Sequence, residues 1–109
     1  MITRIVKLEF QKDKLDDFLF LFDETKWKVA ETEGCLGMQL LQNIDNPCIC
    51  FTYSHWESEQ ALLNYRQSSL FISIWESIKP YFEKPAQAYS TTSYFDAFPM
   101  KRNKLQSII

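Results

Sequence analysis

The chain is predicted to fold as one α+β domain: a four-stranded antiparallel sheet with helices on one face. Three observations predict it. Apolar and polar residues alternate at the start, in the middle and near the end of the chain, which is strand periodicity. Between these stretches, apolar residues recur at three- and four-residue steps, as on the inner face of a helix. Two glycines and four prolines in 109 residues leave too few breakers for a loop-rich chain. The length fits a single domain. The 46% hydrophobic content supplies a core, although domains this small bury only about 60–70% of their unfolded surface.

Met1 to Phe10 places Ile2, Arg4, Val6, Leu8 and Phe10 on one strand face and Thr3, Ile5, Lys7 and Glu9 on the other. Asp13 is a candidate cap for an amphipathic helix from about Lys14 to Glu31, with Leu15, Phe18, Leu19, Phe22 and Val29 inward. Phe20 and Trp27 fall on its far side, where they are expected to meet the C-terminal tail or another subunit. Gly34 marks a turn. Cys35 to Ile44 reads as a strand with Leu36, Met38, Leu40 and Ile44 on one face, and Asp45-Asn46-Pro47 as the turn of a hairpin. Its second strand, Cys48 to Trp56, sets Ile49, Phe51, Tyr53 and His55 against Cys50, Thr52, Ser54 and Trp56.

Ser58 is a helix cap, Glu59 complements the dipole, and Ala61, Leu62 and Tyr65 form the inner face. After a break at Ser68-Ser69, a third helix carries Leu70, Phe71, Ile74, Trp75, Ile78, Tyr81 and Phe82 within roughly 140° of its circumference, at about 100° per residue. Pro85 is expected to stop it, and Ala86 to Phe95 to form the fourth strand. The domain is thus residues 1–95, and residues 96–109 a tail, with Leu105, Ile108 and Ile109 available to tack it down. The order β-α-β-β-α-α-β is the ferredoxin-like split βαβ plan. The face of its sheet away from the helices carries apolar and aromatic residues, so a second copy of the chain is expected to cover it, giving a homodimer.

A net charge of −2, with scattered basic residues, gives no footprint for nucleic acid. Lys101, Arg102 and Lys104 in the tail read as solubilising. No apolar run reaches the ~18 residues of a membrane span, and the charged, alternating N-terminus is no signal peptide. Three cysteines fit a reduced cytoplasm. Cys48 and Cys50 read as small buried hydrophobes, since no second Cys/His cluster completes a metal site. Phosphate-binding glycine loops, a nucleophile elbow and H-E-x-x-H are all absent from the sequence.

The segment Phe51–Phe71, with its aromatic strand, H-W-E-S-E-Q-A-L and S-x-x-F, resembles the antibiotic biosynthesis monooxygenase (ABM) family of dimeric α/β barrels. E-T-E-G-C-L-G-M-Q-L-L and D-N-P add to the likeness, which covers about residues 1–95. The resemblance implies a cofactor-independent monooxygenase acting on a small aromatic or quinol. It equally admits a non-catalytic ligand-binding or stress-associated dimer on the same scaffold. Haem-degrading relatives use an Asn, a Trp and a haem-ligating His where this chain has Val6, Tyr65 and Trp75, which argues against haem degradation.

Cofactor-free oxygenation needs a dry aromatic pocket and a few donors, because the substrate is its own electron source. Trp56 and Tyr65 are the candidate catalytic residues, and Trp75, Arg4, Tyr53 and Phe71 the candidate substrate-binding ones. No cofactor-binding or metal-binding residue is assigned. Trp56 reads first as a packing residue that fixes the strand-to-helix corner, with an indole N–H that still needs a partner or ligand. Tyr65 is a core-edge residue or a pocket donor, Trp75 a core residue or a pocket wall. His55 alternates away from Trp56, toward a surface or interface. Arg4, on the apolar face of its strand, would bind an anionic substrate oxygen or reach solvent at the sheet edge.

Overall fold

The computed structural model describes residues 1–100. The tail's basic cluster and its Leu105, Ile108 and Ile109 lie outside the described residues. The elements are β1 (Ile2–Phe10), α1 (Leu15–Ala30), β2 (Cys35–Gln42), β3 (Ile49–Trp56), α2 (Glu59–Arg66), α3 (Ser69–Ile78) and β4 (Phe82–Thr91). The strands form one antiparallel sheet in the order β2-β3-β1-β4, so the ferredoxin-like plan holds.

Two buried clusters occupy the space between sheet and helices. Leu8, Phe10, Phe18, Cys50 and Ile78 form one, and Ile2, Trp56 and Leu62 the other. Both draw on the alternation of the central strands β1 and β3, whose inner faces meet the apolar stripes of the helices.

Local chemistry fixes the turns. Ser58 Oγ accepts from Ala61 N at 3.1 Å, capping α2 as expected. Ser68 makes the break between α2 and α3: its hydroxyl donates to the Tyr65 carbonyl at 2.6 Å and accepts from Phe71 N at 3.1 Å. Gly34 sits at φ +85°, and a Cβ there would lie 2.5 Å from the Cβ of Ala61. Only glycine allows the turn before β2 to approach α2 so closely.

Five expectations need correction. Asp13 caps nothing; a 3-10 turn at Lys12–Lys14 runs directly into α1, whose N-cap Lys14 has no side-chain cap. Leu36 does not share a face with Met38, because a bulge lies between Cys35 and Gly37. Two residues then oppose one, Leu36 turns out to solvent, and Gly37 adopts φ +142°. Ile44 likewise lies beyond β2 and is exposed. Pro85 does not stop α3. That helix ends at Ile78, a 3-10 turn follows at Lys79–Tyr81, and Pro85 lies inside β4. The strand tolerates it because β4 is an edge strand and its register with β1 shifts there, from Lys7↔Gln87 to Glu9↔Lys84. β4 therefore runs from Phe82 to Thr91, earlier than the alternation of Ala86 to Phe95 implied, and Tyr94 and Phe95 lie exposed beyond it.

Candidate functional site

Between the two core clusters the sheet and helices form a cavity of about 310 Å³ that is partly open to solvent. Close-packed interiors rarely leave voids larger than a water molecule. This volume is about twice the ~150 Å³ that takes up a benzene ring, which is room for two fused rings.

One side of the cavity is an aromatic wall. Trp56 stacks on Tyr65 with ring centroids 5.0 Å apart, Tyr65 meets Phe71 edge-on at 5.2 Å, and Phe71 stacks on Trp75 at 5.8 Å. These rings come together because Trp56 ends β3, Tyr65 lies on the inner face of α2, and the Ser68 cap swings Phe71 and Trp75 of α3 alongside. Val6, Leu8, Phe18, Phe22 and the small Ala86 and Ala88 complete the apolar lining.

The polar lining sits where Arg4, Ser54, Tyr65 and Arg66 meet. Arg4 pairs in register with Ser54 on one side and Ser90 on the other, and its guanidinium donates to Ser90 Oγ at 2.9 Å. Burial first, then the nearby Arg66 charge, lower the Arg4 pKa from its ordinary value. The ion pairs among the described residues are Lys14–Asp17, Lys26–Asp23 and Lys84–Glu9, so neither arginine has a carboxylate partner among them. Burial, with a smaller contribution from Cys35, pushes the Tyr65 phenol up to about 12. Tyr65 therefore stays neutral at physiological pH and acts as a hydrogen-bond donor.

Trp56 is 1% exposed, and its Nε1–H donates to Ser54 Oγ at 2.9 Å. Its partner is thus within the protein, and its indole backs the cavity wall behind Tyr65 with almost no free surface of its own. By accepting that bond, Ser54 keeps its own O–H to donate. No His, Cys, Asp or Glu lines the cavity. The arrangement can bind a flat apolar ring and hold a negative oxygen, but it contains no general base at neutral pH.

The structure brings Trp56, Tyr65, Trp75, Arg4 and Phe71 to one cavity. It does not bring Tyr53 there. Tyr53 alternates with Thr52 and Ser54, so it faces the other side of the sheet, edge-on to His55 at 5.0 Å. His55 stays on that outer face, its Nδ1 2.9 Å from Thr3 Oγ1. Among the described residues, no group of three metal-binding side chains occurs, and no helix is long and apolar enough to cross a membrane.

Sequence reasoning missed Arg66, Ser54 and the α1 wall. Ser54 carried a usable signal, since it shares the inner face of β3 with Trp56. Arg66, next to Tyr65 at the end of a helix, gives no local sign in the sequence that it borders a cavity.

A family model for antibiotic biosynthesis monooxygenases matches residues 1–74. The chain belongs to the ABM family. Its fold recurs in solved structures of low sequence identity. A protein from Nitrosomonas europaea, described as a candidate antibiotic biosynthesis monooxygenase, is 14% identical and superposes with a TM-score of 0.81 over 87% of this chain and 100% of its own. A conserved protein from Methanosarcina mazei is 21% identical, with a TM-score of 0.79 over 85% of this chain and 93% of its own. A protein from Mycobacterium tuberculosis is 16% identical, with a TM-score of 0.80 over 88% and 97%. No curated protein matches the sequence. At these identities the structures speak for the ABM fold alone.

Proposed function

We propose that this ABM-family protein is a cofactor-independent monooxygenase of a small aromatic phenol or quinol. The observation that carries the reading is the aromatic-walled cavity of about 310 Å³ whose polar groups are all donors or hydroxyls. A ring would lie against Phe71 and Trp75, with its phenolic oxygen toward Arg4, Ser54 and Tyr65, and with Trp56 supporting Tyr65 from behind. The guanidinium favours the phenolate, so the phenol's proton passes to water without a protein base. The electron-rich anion then reduces dioxygen. One oxygen atom enters the ring, the other leaves as water with the phenolic and ring C–H hydrogens, and the substrate supplies all four electrons. The donors hold the oxyanion at the apolar wall of the cavity.

The test is dioxygen uptake by chelator-treated protein against hydroquinones and anthrols. The expected result is a substrate-dependent rate above the autoxidation blank, insensitive to chelator and reduced in Tyr65→Phe. A rate no higher than the blank across the panel refutes it.

The lack of a base among the lining residues supports a second reading, a binding module on the same scaffold. Tight binding of an aromatic without turnover is its signature. Haem degradation draws no support, since the chain's single histidine lies on the outer face of the sheet.

We further propose a homodimer through that outer face, in a cytoplasmic protein. Ile5 lies between Tyr53 and Tyr89 in register, and Tyr89 and Leu41 are 56% and 44% exposed in the single chain. Such a patch is unusual on a free surface. Light scattering at micromolar concentration should give twice the chain mass, and Tyr89→Lys should shift it toward the monomer. A monomer in the unaltered protein refutes the dimer.

A further inference from the structure

We propose that Arg4 and Arg66 form an anion clamp at one end of the cavity, and that the natural ligand is an aromatic carrying a carboxylate. The proposal deepens the reading above and rests on its small aromatic ligand. It asks why a chain with a net charge of −2 assembles two guanidiniums, and no carboxylate, around an apolar cavity.

Arg4 comes from the inner face of β1, a position that would otherwise continue the apolar series Ile2, Val6, Leu8 and Phe10. Arg66 comes from the last turn of α2, directly after Tyr65. Its place there also complements the helix dipole, but that explains a cation anywhere in the turn and not one that lines the cavity. Burial, and then the nearby Arg66 charge, lower the Arg4 pKa, which places the two guanidiniums near each other. Neither is relieved by an ion pair among the described residues. Among the described residues, the one side-chain hydrogen bond of Arg4, to Ser90 Oγ, uses one of five guanidinium donors. A half-buried fork and an exposed one at the rim, neither with a carboxylate partner among the described residues, are a receptor for an anion that arrives with the ligand.

The shape selects the class of anion. Guanidinium forks match a planar carboxylate in two-point contact. The apolar volume behind them takes about two fused rings. The Ser54 hydroxyl and the neutral Tyr65 phenol add donors without adding charge. An aryl carboxylate thus fills both ends of the site, whereas a neutral quinol leaves the two cations unpaired.

The experiment is anaerobic titration calorimetry at pH 7 with 2-naphthoate, its neutral methyl ester and inorganic phosphate. Working without oxygen separates binding from turnover. The clamp predicts 2-naphthoate binding at least tenfold tighter than the ester. Arg4→Gln and Arg66→Gln should each remove about tenfold of naphthoate affinity while ester affinity is kept, which also reports that the variants are folded. The preference should fall as salt rises. Equal affinity for acid and ester overturns the clamp alone and leaves the aromatic site. A preference that survives the double Arg→Gln variant overturns it as well. Phosphate binding tighter than naphthoate, with the same arginine dependence, overturns the carboxylate assignment. No binding of either naphthalene overturns the clamp together with the aromatic reading. Naphthoate binding without oxygen uptake by any substrate leaves the clamp standing and refutes only the oxygenase.

Discussion

Ser54→Ala should cost about 1–3 kcal/mol, far more than a hydroxyl at the lining of a cavity would ordinarily be worth. The reason is Trp56. Its indole is 1% exposed and its Nε1–H has Ser54 Oγ as acceptor at 2.9 Å. Removing the acceptor leaves a buried N–H without a partner, and that desolvation cost is paid in full. Trp56→Phe removes the donor and part of a buried ring, at about 2 kcal/mol. In the Trp56→Phe background, Ser54→Ala no longer orphans anything, so its cost should fall toward zero. The double-mutant cycle should therefore show a coupling of about 1–2 kcal/mol. Equilibrium urea unfolding of the four proteins measures it, and each kcal/mol corresponds to about 4–8 °C in Tm for a domain near this size. Costs that add to within about 0.5 kcal/mol would refute the reasoning. They would mean that the indole N–H is not committed to Ser54 and is available to a substrate.

Three further outcomes follow from the structure. The Tyr65 pKa is raised to about 12 by burial, so the unfolded chain ionises first as pH rises past about 10. The unfolded state then binds fewer protons than the native one. Stability is lost between pH 10 and 12, by about 2–3 kcal/mol from this residue, and is unaffected below that window. The loss, read as the difference between the parent and Tyr65→Phe, should vanish in the variant; an equal alkaline decline in both refutes the buried phenol. Gly34→Ala should destabilise by more than about 1 kcal/mol in urea unfolding, since it combines a left-handed φ with a clash against Ala61. A neutral effect would show that the turn does not approach α2. Ala88→Leu projects into the cavity, so it should abolish binding of a two-ring aromatic in calorimetry without lowering the unfolding midpoint. Retained affinity would place the ligand elsewhere.

The fold was legible because its determinants are local and periodic. Strand alternation around Val6 and Thr52, helical spacing around Phe18 and Ile74, and the Ser58 and Ser68 caps each state their element within a few residues. The failures are those in which a distant partner overrides the local pattern. Pro85 reads as a helix breaker in sequence, yet pairing with β1 draws its segment into an edge strand with a register shift at the proline. Leu36 fits the alternation of β2 until the bulge at Gly37 turns it outward. At the site, Trp56, Tyr65 and Trp75 were legible as rings with helical or strand-end placement. The role of Trp56 was not, because the bond to Ser54 depends on two side chains turning toward each other on one strand face. Arg66 was hidden for a similar reason. A terminal helix arginine reads as solvated, as Arg66 is, and its place at the rim beside Arg4 shows only once the position of β1 is known.

The cavity is sustained by what the strands leave out. β4 places Ala86 and Ala88 toward the helices, although strands favour β-branched and aromatic residues and disfavour alanine. Two larger side chains there would join the clusters around Leu8 and Trp56 into one continuous core. Arg4 makes the same point from β1, where a leucine would extend the apolar series and bury more surface. Choices that each give up packing, made on two neighbouring strands and facing one space, are hard to account for by folding alone. Residues that weaken a fold and converge on a cavity are the mark of a ligand site. That inference holds for an oxygenase and for a binding module alike. Turnover is what separates the two, because a cavity lined by guanidiniums and hydroxyls, with no carboxylate or imidazole, can hold an anion but must leave the removal of its proton to water.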